Sequence, residues 1–187
     1  MMHQRILKKI NRPIILMGYM GSGKTSIGKK ISKILNIKFF DLDELIEKKY
    51  NKNVKNIFND LGEIEFRKKE RALLEKMMSK KNLFVLSLGG GTPCYFNNID
   101  LITETTDLTI FLKPNIQQLS KKLFKKKLNR PLIKEVQTEK QMHEFVSKHM
   151  LERIHYYKRA KYELDYDLGN KMDACNKILK ILDKFCS

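Results

Sequence analysis

The chain has 187 residues, 42% hydrophobic and 32% charged, which suits an ordinary globular domain with a real core and excludes a disordered or fibrous protein. Its 38 Lys and Arg against 21 Asp and Glu give a formal charge of +17, but the cations are spread along almost the whole chain, so charge alone does not make it a nucleic-acid binder. Cys94, Cys175 and Cys186 form no C-x-x-C pair, which excludes a zinc ribbon or a disulfide framework, and no apolar stretch approaches the ~18–20 residues of a membrane span.

The first segment, MMHQRILKKINRP, is basic but lacks the apolar centre of a secretory signal. Ile14–Met17 then reads as a strand apolar at every position, and GYMGSGKT, Gly18 to Thr25, follows it directly. This octet fits G-x-x-x-x-G-K-[ST] in the context the phosphate-binding loop requires, a strand before it and a helix after it. Glycines let backbone N–H groups curl inward around a polyphosphate, and the helix start adds its positive dipole end. Lys24 supplies a charge for the β- and γ-phosphates, and the Thr25 hydroxyl is a ligand for Mg2+. In the helix predicted over Lys24–Leu35, Ile27, Ile31, Ile34 and Leu35 share one face.

The second predicted strand, Lys38–Asp41, ends in FFDLDE. Asp41 and Asp43 therefore emerge at the carboxyl edge of the sheet, where ligands of open α/β folds collect. Two uses remain open for them: one near a metal and one near an acceptor hydroxyl, or a helix cap. Helices are predicted over Asp43–Lys49, Val54–Leu61 and Glu63–Met78. In the last, Glu63, Phe66, Arg67 and Glu70 lie three and four apart on one face. This is either an exposed ion-pair ladder of small worth or a guanidinium aimed at a substrate carboxylate.

A third strand, Leu83–Leu88, leads into LSLGGGTPC. Three successive glycines forfeit backbone entropy, and a closely approaching ligand is the expected compensation. Cys94 beside them is either a reactive thiol or a bystander. Leu108–Leu112 is the fourth strand, Ile116–Phe124 a helix, and residues 125–140 a charged, Pro-interrupted excursion of the kind that is usually functional or disordered. A helix over Glu139–Ala160 carries His143, His149 and His155. Their spacing of six does not stack them as metal ligands, and they are expected to be solvated. A weaker strand, Tyr162–Asp165, and a helix, Lys171–Phe185, close the chain. Buried strands alternating with helices imply an α/β doubly wound parallel sheet.

The set G-x-x-G-S-G-K-T, D-L-D, G-E-x-E-F-R-x-x-E, S-L-G-G-G, N-R-P-L and E-R-x-x-x-Y, in this order between Ile14 and Asp165, resembles the shikimate kinase family. The resemblance implies a P-loop NTPase-type sheet of five parallel strands in the order 2-3-1-4-5, with helices on both faces and a mobile lid over 125–140, as a single kinase domain over residues 1–187. It implies transfer of the ATP γ-phosphoryl group to the 3-hydroxyl of shikimate, with Mg2+, by a cytoplasmic monomer without a nucleic-acid or membrane partner. By the same resemblance Gly21, Ser22, Gly23, Lys24, Thr25, Ser26 and Arg130 bind ATP, and Thr25 holds the metal directly and Asp41 through water. Asp43 binds the ring hydroxyls and serves as base. Arg67 and Arg153 clamp the carboxylate, Gly89, Gly90 and Gly91 line the ring, and Phe58 and Phe66 form apolar walls. Arg130, in the lid, approaches the transferring phosphate as an arginine finger does. One departure stands out: where the family stacks an arginine on adenine, this chain offers Lys121, Lys122 or Lys125.

Two rivals make different demands. A gluconate-type kinase would have less use for both arginines. A basic nucleic-acid-binding P-loop protein would show steeply salt-dependent affinity and no acceptor-dependent ADP release, and its basic runs lack interleaved aromatic residues.

Overall fold

Alternate residues of a strand face opposite ways, and in Ile14–Met17 (β1) each direction meets an apolar layer: Ile15 and Met17 join one core cluster, Ile14 and Leu16 the other. The structure is a computed structural model that describes residues 2–127 and 131–186. All four positions of β1 are buried, the condition of a parallel strand lying between two layers of helices. The sheet continues through Lys38–Asp41 (β2), Phe84–Ser87 (β3), Thr109–Pro114 (β4) and Tyr162–Tyr166 (β5), in the order β2-β3-β1-β4-β5. Every neighbouring pair is parallel. Ile15 stands opposite Leu86 on one side and Thr109 on the other, so the central strand is the one that feeds the glycine-rich loop.

On one face lie Met2–Lys9 (α1), Lys24–Leu35 (α2) and Lys171–Phe185 (α9), which bury Ile6, Ile27, Ile31, Ile178 and Leu182 against Ile14 and Leu16. The other face is covered by Leu42–Tyr50 (α3), Val54–Met78 (α4), Asn98–Thr105 (α5), Ile116–Lys125 (α6), Glu139–Leu151 (α7) and Ile154–Tyr157 (α8). Their buried residues include Ile46, Phe66, Leu74, Ile102, Leu119, Val146 and Tyr157. No helix among the described residues is long and apolar enough to cross a membrane.

Three elements differ from expectation for local reasons. The helix α1 is short and uncapped by acids. It is held by tertiary contacts, an Arg5–Asp183 ion pair and Lys9 Nζ donating to the Cys186 carbonyl at 2.5 Å, since eight residues alone do not sustain a helix. The helix α5 starts after Asn97, held at φ 54°, and is likewise set by burial of Ile99 and Ile102. The single helix expected over 139–160 is broken between α7 and α8, because Arg153 leaves the helical path with φ −114° and ψ −16°. A break expected after Leu61 is present: α4 is interrupted at Gly62, which adopts φ 76° and ψ 170°.

Candidate active site

A loop whose N–H groups are to grip an anion must dispose of its carbonyls elsewhere, and here the carbonyls are held by side chains from several elements. Lys24 Nζ donates to the Gly18 and Tyr19 carbonyls at 2.8 and 3.0 Å. Lys122 of α6 donates to Gly21 at 2.6 Å, and Ser26 to Gly23 at 3.0 Å. The Tyr166 hydroxyl, at the end of β5, donates to Ser22. Positive φ at Gly18, Gly21 and Gly23 (141°, 80° and 91°) turns the loop. Gly23 ends it as the N-cap of α2, whose first N–H groups lack intrahelical acceptors. The Ser22 side chain is buried and its Oγ has no hydrogen-bond partner among the described residues, while its carbonyl accepts from Tyr166.

At the end of β2 both readings of the acidic pair hold at once. Asp41 caps α3, accepting from the Asp43 N–H at 3.1 Å, and its other oxygen accepts from the Thr25 hydroxyl at 2.7 Å. Thr25 and Asp41 thus form a hard oxygen pair beside the phosphate loop, which fits Mg2+. Among the described residues no group of three His, Cys, Asp or Glu side chains is arranged for a metal. Asp43 is pushed up to about 6, chiefly by burial and then by the nearby charges of Asp41 and Glu70, while Lys24 and Arg67 oppose the shift. It is therefore within electrostatic reach of both the loop lysine and the arginine of α4, with an affinity for protons suited to a base near neutrality.

Arg67 is only 8% exposed, and the ladder reading fails on that burial. Its Nη1 donates to Glu70 at 2.8 Å and its Nη2 to Glu63 at 3.3 Å, while Glu70, fully buried, also accepts from the Thr92 hydroxyl at 2.7 Å. The guanidinium lies 4.3 Å from the Tyr95 ring centre, 5.2 Å from Phe66 and 5.6 Å from Phe58. Phe58 and Phe66 themselves stack at 4.1 Å. Arg67 Nε is buried with no partner among the described residues.

The glycine run has a reason beyond ligand approach: each residue makes room for a different part of the site. A Cβ on Gly89 would meet the Asp43 carboxylate at 2.7 Å, one on Gly90 the Met20 backbone nitrogen at 3.1 Å, and one on Gly91 the Arg67 guanidinium. Gly90 is also tied to the far side, where its carbonyl accepts from the Tyr157 hydroxyl at 2.5 Å.

Arg153, between α7 and α8, is half-buried and close enough to Cys94, Tyr95, His149 and Tyr157 to act on each electrostatically. Arg67 also acts on Cys94 and Tyr95, so the two arginines flank one turn. Burial pushes the Cys94 thiol up to about 11 despite both cations, which leaves it protonated and a bystander. Arg130 lies outside the described residues. Sequence reasoning missed His149: rather than being solvated, it is half-buried, with Nδ1 2.8 Å from the Tyr19 hydroxyl. It also missed Lys122 as a support of the loop. No local pattern signals either, since both partners lie more than a hundred residues away.

A parallel sheet whose central strand ends in a phosphate cradle, with a buried carboxylate within electrostatic reach of both the cradle lysine and a buried arginine, defines a P-loop kinase of small molecules. Comparison with known proteins gives the family. The family model described as SKI, shikimate kinase, matches residues 20–183. A shikimate kinase of Flavobacterium psychrophilum is 42% identical over 171 residues, 91% of this chain and 99% of that protein. Among solved structures, the shikimate kinase of Bacteroides thetaiotaomicron has a TM-score of 0.82 at 31% identity, covering 92% of this chain and 98% of that one. That of Acinetobacter baumannii, in complex with shikimate, has a TM-score of 0.79 at 29% identity, covering 91% and 92%. The chain belongs to the shikimate kinase family, and is thereby an ATP-dependent phosphotransferase.

Proposed function

We propose that the chain transfers the γ-phosphoryl group of ATP to the 3-hydroxyl of shikimate, with the chemistry divided among the residues described above. The observation that carries this reading is the placement of Asp43 within electrostatic reach of both Lys24 and Arg67. A small acid with several hydroxyls needs a fixed cation at one end and an acceptor at the other, and the acceptor must face the phosphate.

In this reading Arg67, its Nε lacking an acceptor among the described residues, and Arg153 hold the substrate carboxylate, while Phe58 and Phe66 wall the ring. Asp43 accepts the proton of the 3-hydroxyl as its oxygen attacks the γ-phosphorus. The bond from that phosphorus to the bridging oxygen breaks, and the electron pair leaves with ADP. Lys24 and the loop N–H groups hold the β- and γ-phosphates in line. The Thr25 hydroxyl, and Asp41 through water, hold Mg2+, which when bound draws charge from the phosphate oxygens. Arg130 completes the charge neutralisation from the lid. The protein works as a single domain and as a monomer, without a nucleic-acid or membrane partner, and its three free thiols support a reducing compartment, the cytoplasm.

The test is ADP release in a coupled assay with shikimate, gluconate or nucleoside monophosphates as acceptor. Shikimate alone is expected to drive turnover. Preference for gluconate or a nucleotide would overturn the reading, as would salt-sensitive nucleic-acid affinity without acceptor-dependent turnover.

A further inference from the structure

One contact joins the phosphate loop to the segment that carries Arg153, and the reaction as described does not use it. Tyr19, the second residue of the loop, is fully buried. Its side chain belongs to the core cluster that holds Val146 and Tyr157, with its hydroxyl 2.8 Å from His149 Nδ1 and its ring edge-on to the imidazole at 5.5 Å. Phe145, one turn earlier on α7, packs against the same imidazole at 5.4 Å, so the ring is held from two sides. His149 precedes Arg153 by four residues, and the chain between them is tightened by the Arg153 N–H donating to the Met150 carbonyl at 3.0 Å. On the far side of Arg153 the Tyr157 hydroxyl is tied to the Gly90 carbonyl.

We propose that His149 is a positioning residue: through Tyr19 it fixes the end of α7 against the phosphate loop and so sets where the Arg153 guanidinium stands relative to the nucleotide. The geometry suits the task. Helix α7 buries Met142 and Val146 but ends in the exposed Leu151, and the Tyr19–His149 contact is a part-buried polar tie just before the chain turns toward Arg153. Burial and the nearby Arg153 charge lower the His149 pKa, so the ring is neutral at physiological pH and adds no third cation beside Arg67 and Arg153.

The inference rests on the functional reading for its substrate but not for its geometry, and the experiment separates the two. Tyr19→Phe removes one hydroxyl from an otherwise intact apolar environment, and His149→Asn keeps a polar atom at the Nδ1 position. Tyr19→Phe and His149→Ala are expected to raise the KM for shikimate about tenfold, the worth of roughly one hydrogen bond in position, while the KM for ATP stays within about twofold. His149→Asn is expected to recover most of the loss, and the double variant Tyr19→Phe/His149→Ala to be no worse than His149→Ala. An equal rise in the KM for ATP, or His149→Asn behaving like His149→Ala, would overturn the inference. A second readout needs no substrate: the Arg153 Nε–H resonance, assigned by Arg153→Lys, is expected to move in Tyr19→Phe and His149→Ala and to return in His149→Asn. An unmoved resonance overturns the inference whatever the acceptor is. Failure of the wild-type protein to phosphorylate shikimate overturns only the functional reading.

Discussion

Arg67 and Glu70 form an ion pair at 2.8 Å in which the carboxylate side chain is fully buried and the guanidinium side chain 10% exposed. The pair Arg67–Glu63 on the same helix is longer, 3.3 Å, and its acid is 51% exposed. Removing one partner of a buried pair strands the other charge, whereas an exposed pair is largely replaced by water. Glu70→Ala is therefore expected to lower stability by about 3–5 kcal/mol, and Glu63→Ala by less than about 1 kcal/mol. Thermal and urea denaturation of the two variants check this, and equal losses would contradict it. Both variants are expected to raise the KM for shikimate, because each frees Arg67 to turn.

Lys24 holds two loop carbonyls and, in the proposed mechanism, presents a charge where negative charge develops on the transferring group. Lys24→Ala removes a preorganised cation, and turnover is expected to fall about a hundredfold or more. Circular dichroism is expected to be unchanged, since the other loop carbonyls keep their own donors, Lys122, Tyr166 and Ser26. Near-normal turnover would remove Lys24 from the mechanism.

Asp43 gives opposite signs for activity and stability. Its pKa is raised to about 6, first by burial, above an ordinary value of about 4. The folded protein therefore binds the proton more tightly than the unfolded chain, and stability falls as pH rises from about 4 to about 6. In the proposed mechanism Asp43 is the base and must be ionised, so kcat/KM for shikimate is expected to fall below about pH 6, in the range where stability improves. Asp43→Asn is expected to abolish most turnover and to melt at a higher temperature than wild type at pH 8. The difference should vanish below about pH 4. Equal melting temperatures at pH 8 would show that the buried charge carries no cost.

The parts of this molecule governed by local chemistry were legible in its sequence. The phosphate loop announces itself because Gly, Lys and Thr each have a task that no other residue performs as well at that spacing, and β1, β3 and most of β4 are apolar runs, whereas the edge strands β2 and β5 carry charged positions and are weaker signals. The pairing order came from the family resemblance rather than from the runs. What stayed hidden depends on partners distant in the chain. Helix α1 exists because α9 lies beneath it. The three glycines suggest a ligand, yet the groups that crowd them are Asp43, Met20 and Arg67. His149 looked solvated because its only local signal was a spacing, whereas its partner is 130 residues away.

Gly62 offers a test of backbone strain without steric contact. It interrupts α4 with φ 76° and ψ 170°, a region open essentially to glycine alone, yet a Cβ added there would meet nothing within 4 Å. Any loss on substitution therefore comes from the backbone. Gly62→Ala is expected to lower stability by about 1–3 kcal/mol, and Gly62→Val by more, because β-branching restricts the backbone further. The interruption also sets how the first half of α4, carrying Phe58, meets the second half, carrying Phe66 and Arg67. The stack of Phe58 on Phe66 at 4.1 Å depends on it. If the chain relieves the strain by straightening the helix, Phe58 leaves Phe66. The KM for shikimate then rises while the KM for ATP, set on the other side of the cleft, holds. A stability loss with both constants unchanged would show that the bend serves the fold and not the substrate.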